Sequence, residues 1–170
     1  VLVADDNHDA SISDNGQAIA FVSSRDLVPG GNTFPDIDND EIFTFTWAGS
    51  PASGMFGQVT KAPRGTVSSP IYSKFPTISG NGLRVAYASN AENQAVSGGS
   101  CVSTPPTTRN EEVFYADLNA GGAPTSCHQI TNTTAASPGA PVNMFDAGRR
   151  MSRDGRYIAF DSYADLENGG

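Results

Sequence analysis

Charge is scarce in this sequence, and what there is leans one way. Only 16% of the 170 residues are charged, ten Lys and Arg against eighteen Asp and Glu, for a net charge of −8. A field of that sign repels phosphate backbones and anionic membrane surfaces. It argues against nucleic acid as a partner and makes cations the natural small ones. Long apolar runs are also missing. None approaches the roughly 18 residues that span a bilayer, so no transmembrane segment is expected. No stretch sustains a 3.6-residue apolar period, which removes the amphipathic helix as a building block. There is no initiating Met and no signal peptide, so residue 1 reads as a processed or truncated start. The only cysteines are Cys101 and Cys127. Without a CxxC pair or a Cys/His cluster, neither a metal nor a redox motif is indicated. A disulfide in an exported protein, periplasmic or extracellular, is one reading; two free thiols is the other. Asn132-Thr133-Thr134 is a formal glycosylation sequon, meaningful only in a secretory eukaryotic host.

Turn formers are plentiful instead, with 18 Gly and 11 Pro. That composition suits many short strands joined by turns. A repeat then organises the chain. "ISDNGQAIAFVSSRDLVPGG" (12–31) returns as "MSRDGRYIAFDSYADLENGG" (151–170), with a weaker copy, "ISGNGLRVAYASNAENQAVSGGS", at 78–100. Gly16, Gly82 and Gly155 align, as do Ser13, Ser79 and Ser152, and the aromatics Phe21, Tyr87 and Phe160. Each copy reads as a hairpin: a short strand, a turn whose Gly supplies positive φ, and an alternating strand. In the alternating strand Ile19, Phe21 and Ser23 share one face, and Ala18, Ala20 and Val22 share the other. Bulky residues on one side and small ones on the other suit a sheet packed on both faces.

A second shared unit follows. "DEIFTFTW" (40–47) matches "EEVFYADL" (111–118), and each leads through a Gly-rich turn to a short strand, 57–62 or 127–132. The pattern predicts four-stranded antiparallel units at 10–62 and 75–132. Residues 1–9 close a preceding unit, and 149–170 form the first half of a further one. Such sheets stack radially as propeller blades. The expected fold is therefore all-β, an incomplete β-propeller of about two and a half blades.

The Ser-x-x-Gly-x-x-[Ile/Val]-Ala-[Phe/Tyr]-x-Ser pattern, the acid-[Ile/Val]-Phe strand and the short strand ending near "VT" or "IT" resemble the TolB-type (WD40-like) β-propeller repeat. The closest likeness is to exported bacterial versions carrying Asp-Leu-Val-x-Gly-[Gly/Asp], here Asp26-Leu27-Val28-Pro29-Gly30-Gly31 and Asp165-Leu166-Glu167-Asn168-Gly169-Gly170. The middle copy lacks that phrase and carries an insert, "SCVSTPPTTR". Rings of that family have about six or more blades, so these units need further blades or other chains to cover their faces and edges.

Several residues invite chemistry. Asp36, Asp38 and Asp40, with Glu41 next, alternate in a loop before a strand, as carboxylates around Ca²⁺ can. The spacing lacks the Gly and the distal Glu of an EF-hand, and a solvated acidic loop is the other reading. Glu111 and Glu112 stand where Asp40 and Glu41 do, which makes that shared pair look structural. Asp5, Asp6 and Asp9, with His8 among them, can extend the acidic rim. No nucleophile elbow is present. Cys127 and His128, adjacent on a strand, point to opposite faces and make a poor dyad. Trp47 is a candidate partner-binding anchor, or a cover for a blade edge. Arg149, Arg150 and Arg153 form a basic cluster, placed to hold an anion or to pair with the excess acids. A Cys101–Cys127 bridge requires the long insert to run back along the outer edge of its unit.

These features describe a non-catalytic exported binding or scaffold module, stiffened by Ca²⁺. Its partner is another protein or the remaining blades of the same propeller. Two alternatives stand beside it. The chain is the propeller portion of a larger peptidase-type hydrolase whose catalytic domain lies outside it, or it is an accessory subunit of a larger assembly. No catalytic motif is present.

Overall fold

Three serine turns set the frame. Ser13 Oγ donates to Asn15 Oδ1 at 2.8 Å and accepts from the Ala18 N–H at 3.0 Å. Ser79 does the same with Asn81 and Arg84, and Ser152 with Asp154 and Tyr157. The glycine of each turn sits at positive φ, 68°, 74° and 71° for Gly16, Gly82 and Gly155. The repeated letters Ser-x-[Asn/Asp]-Gly therefore encode one hydrogen-bonded hairpin, written three times.

The computed structural model describes residues 6–32, 39–91, 93–96, 99–102, 110–134 and 142–166, with only the backbone of 93–96 and 99–102. Around the first turn, β1 (Asn7–Ile12), β2 (Ala18–Ser23), β3 (Glu41–Thr46) and β4 (Met55–Gln58) pair antiparallel in chain order. A 3₁₀ turn, Pro51–Ser53, joins the last two. A small hairpin, β5 (Gly65–Thr66) with β6 (Ser69–Pro70), leads to the second unit. There β7 (Ser73–Ile78) and β8 (Arg84–Ser89) are followed by an inserted hairpin, β9 (Asn93–Val96) and β10 (Gly99–Val102). β11 (Glu112–Leu118) and β12 (Pro124–Gln129) complete the second four-stranded sheet, and β10 lies against β12. The third unit has β13 (Asn143–Met144) paired with β14 (Asp161–Ser162), plus a single bridge from Met151 to Ile158.

The molecule is thus all-β, built of antiparallel sheets, as the repeat predicts. Some strand limits differ from the sequence reading. β1 begins at Asn7, before residue 10, because a bulge at Asp9 re-registers it against β2. The same bulge recurs at Phe75 in β7, and both residues take positive φ, 52° and 54°. β12 starts at Pro124, not at 127, with a proline at the strand's first position where no N–H is needed. The third unit's expected strands shrink to short pairs. In the first two units β3 or β11 holds the far side of the B strand, and no described strand does so for 157–162. Of residues 1–9, expected to close a preceding unit, 1–5 lie outside the described residues and 7–9 belong to β1.

Packing follows the small-on-bulky logic of the strands. Ala18, Ala20 and Val22 of the first unit bury against Val85, Tyr87 and Phe114 of the second. The second unit's opposite face, Ala86, Ala88 and Val113, buries against Phe145, Met151, Ile158 and Phe160. Each fully buried Val, Ile or Phe contributes about 1.5–3 kcal/mol. Polar stitches fix the stacking. The Ile78 N–H donates to Ser11 Oγ, and the Arg150 N–H to Thr77 Oγ1, both at 3.1 Å. At the turns, the Asp14 N–H donates to Gly80 O at 2.9 Å and the Asn81 N–H to Arg153 O at 3.1 Å. The three serine turns therefore line up along one edge of the stack.

Candidate functional site

The shared acids are where sequence and structure meet most sharply. Glu41 opens β3 and is buried. Its carboxylate accepts from Asn39 Nδ2 at 2.8 Å, from the Ala62 N–H at 2.6 Å and from Thr60 Oγ1. Thr60 Oγ1 in turn accepts from the Ile42 N–H at 2.8 Å. Glu112 repeats the device with Asn110, Thr131 and Thr133, and Asn143 Nδ2 from the third unit joins it at 3.1 Å. Each glutamate ties the start of one strand to the segment that follows the outermost strand. Burial pushes the Glu41 carboxyl up to about 7, against the pull of its three donors. The pair is structural, as the repeat comparison suggests. The signal for its partners was in the sequence: Asn-x-Glu at 39–41 and 110–112, and the threonine at the end of "VT" and "IT".

With both Glu41 oxygens committed to protein donors, Asp36, Asp38 and Asp40 are the carboxylates left for a cation. Asp36 and Asp38 lie outside the described residues. Asp40 is half-buried, and burial raises its pKa. The His8 charge opposes that rise, and the Asp6 and Asp9 charges add to it. His8 Nδ1 lies 3.0 Å from Asp9 Oδ2. Among the described residues, no three Asp, Glu, His or Cys side chains gather into a metal-holding group.

The phrase Asp-Leu-Val-Pro-Gly-Gly has a local cause. Asp26 accepts from the N–H groups of Gly30, Gly31 and Asn32, each at 3.1 Å. These bonds, Asn32's foremost, hold its carboxyl below the usual carboxylate range. Asn32 is itself buried and donates to Ser24 O and Asn39 O.

The basic cluster pairs with acids. Arg149 Nη1 and Arg153 Nε reach the two oxygens of Asp14 at 2.8 and 2.9 Å, linking the third unit to the first across the second. Arg150 pairs with Asp146 at 3.1 Å. Gly80 lies beneath the first of these links. A Cβ there would come within 2.4 Å of Asp14 Oδ2 and 2.7 Å of Arg153 Cγ. Cys127 and His128 do point apart: Cys127 Sγ lies 3.3 Å from the Tyr87 hydroxyl, while His128 stacks on Tyr115 at 4.6 Å. There is no free cysteine among the described residues. The side chain of Cys101 lies outside them. The inserted hairpin nevertheless carries its backbone along the outer strand, the route the bridge requires.

Trp47 is half-buried, its ring tilted on Phe45 with centroids 5.6 Å apart. Its N–H donates to Gln17 O at 3.0 Å, fixing it beside the first serine turn. There it lines a cleft of about 330 Å³ where the turns of the first and second units meet. Met55 and Leu83, 60% and 46% exposed, form apolar walls, and the amides of Asn15, Gln17 and Asn81 form the rim. Among the described residues, no charged one lines it. Sequence reasoning singled out Trp47 but not its companions, which come from separate turns that only the stacking brings together.

The chain matches no protein-family model and no curated protein.

Proposed function

We propose that the chain is a non-catalytic exported binding and scaffold module, an open array of TolB-like propeller blades that works by contact with another protein. The observation that carries this reading is the uncharged cleft at the junction of two units, with Trp47 beside the exposed Met55 and Leu83. Apolar groups rimmed by polar ones mark contact surfaces, and a fixed Trp is a common anchor. The blade-by-blade stacking, with small faces on bulky ones and serine turns aligned along one edge, supports the propeller part of the proposal. Exposed Tyr157 (72%), Tyr163 (77%) and Leu166 (45%) on the third unit favour an accessory-subunit variant, in which that unit is also covered in an assembly. Ca²⁺ on Asp36, Asp38 and Asp40 would stiffen the loop before β3. It is tested by calorimetric titration of chelator-treated protein, and no heat at about millimolar Ca²⁺ removes it.

The deciding experiment is the intact mass and assembly state of the native protein, by mass spectrometry and light scattering. A stable complex with a second protein is expected. A much heavier chain carrying a hydrolase domain would overturn the proposal in favour of a gating propeller.

A further inference from the structure

We propose that the cleft between the first two units receives one uncharged apolar side chain of an extended peptide segment, with Trp47 as the anchor and Asn81 as the backbone-reading group. This rests on the binding-module proposal and names the chemistry of the partner.

The occupant follows from what lines the cleft. In a chain of net charge −8 the described residues of this lining include no Asp, Glu, Lys, Arg or His. A charged side chain entering it would give up part of its water and find no counter-charge among the described residues. The neutral lining therefore selects a neutral guest. The walls are the thioether of Met55 and the branched side chain of Leu83, which adapt to aliphatic and aromatic shapes. At about 330 Å³ the cleft is at the lower end of ligand-site volumes, the scale of a side chain with its flanking backbone.

The rim supplies direction. Asn81 Oδ1 is held by the turn, accepting from Ser79 Oγ at 2.7 Å and the Leu83 N–H at 3.0 Å. That fixes the amide plane, and among the described residues its Nδ2 has no acceptor. It is a pre-positioned donor for a peptide carbonyl. Asn15 is held in the same way by Ser13 and the Gln17 N–H, and one of the two N–H groups of its Nδ2 goes to Gln17 Oε1 at 3.3 Å. The two turns use one motif, and both set their amides on the rim of the cleft.

The single Trp makes the test direct, because one indole N–H resonance and one fluorophore report on the site. The probes are blocked tripeptides, acetyl-Gly-Leu-Gly-amide and its Met, Phe, Glu and Lys counterparts, with maltotriose as the neutral sugar. The Leu, Met or Phe peptide should shift the Trp47 indole resonance saturably, at about millimolar affinity. The Glu and Lys peptides should bind at least about tenfold more weakly. Leu83→Asp, on an exposed wall, should weaken the Leu peptide by about tenfold or more while the melting temperature holds. No saturable shift with any apolar peptide overturns the proposal. So does equal binding of the Leu83→Asp variant, or a shift with maltotriose alone. A protein complex that survives Leu83→Asp overturns the cleft assignment and leaves the binding-module reading standing. A chain found fused to a hydrolase domain does the reverse.

Discussion

Replacing Glu41 strikes at the joint that closes the first unit, and the outcome can be worked from its contacts. In Glu41→Ala the Ala62 N–H, the Thr60 hydroxyl and Asn39 Nδ2 lose a shared acceptor in a buried place. Asn39 Nδ2 keeps a second bond to Ala62 O at 3.1 Å, so two donors are fully orphaned. An unmet buried donor costs about 1–3 kcal/mol, which for two donors gives a loss of about 2–6 kcal/mol. Against this stands the burden of the buried charge itself. The carboxyl titrates near 7 when folded, against 4.5 as its ordinary value. Between those values the folded state holds a proton that the unfolded chain has released. The stabilisation is therefore fully present below about pH 4.5 and is lost as pH rises through 7. The raised pKa is worth about 3 kcal/mol over that window. Urea unfolding followed by Trp47 fluorescence, at pH steps from 5 to about 8, reads both effects. Glu41→Ala should cost most at pH 5 and progressively less towards pH 8. Glu41→Gln, which keeps the shape and cannot ionise, should flatten the decline seen in the parent chain. If the parent and Glu41→Gln curves run parallel across the range, or Glu41→Ala lies within about 1 kcal/mol of the parent at pH 5, the assignment of Glu41 as a buried, proton-linked joint is wrong.

Three further predictions rest on other parts of the stack. Gly80→Ala places a Cβ against Asp14 Oδ2 and Arg153 Cγ, so the Asp14–Arg153 pair must shift; stability in thermal melts should fall by about 1 kcal/mol, and an unchanged melt refutes the close approach. Asp26→Ala frees the Gly30, Gly31 and Asn32 amides, whose hydrogen exchange should speed up. In the parent chain the same protection should be present above pH 4 and be lost as pH falls through the lowered folded pKa of Asp26. A thiol assay under denaturing conditions should find no reactive thiol in the untreated chain, and two thiols would remove the Cys101–Cys127 bridge.

The sequence by itself determined the local devices. Ser-x-[Asn/Asp]-Gly specifies a hairpin turn through bonds within six residues, so its three copies were legible wherever they stood. The alternation of Ala18, Ala20 and Val22 with Ile19 and Phe21 determined which face is small and packs on bulky neighbours, because a strand's period of two is local. The pairing of Glu41 with Glu112 across the repeat marked them as structural before any contact was known. Only the tertiary structure decided the rest. Glu41 looked available to a cation in the sequence, and it is the segment after the next strand, at Thr60 and Ala62, that turns it inward. The third unit's strands read as well as the others, yet stay short, because a B strand is held by a neighbour no local pattern supplies. The Asp14–Arg153 link spans the whole stack. The Trp47 cleft joins residues from turns far apart in the chain, so it exists only once two faces, each written locally, are pressed together.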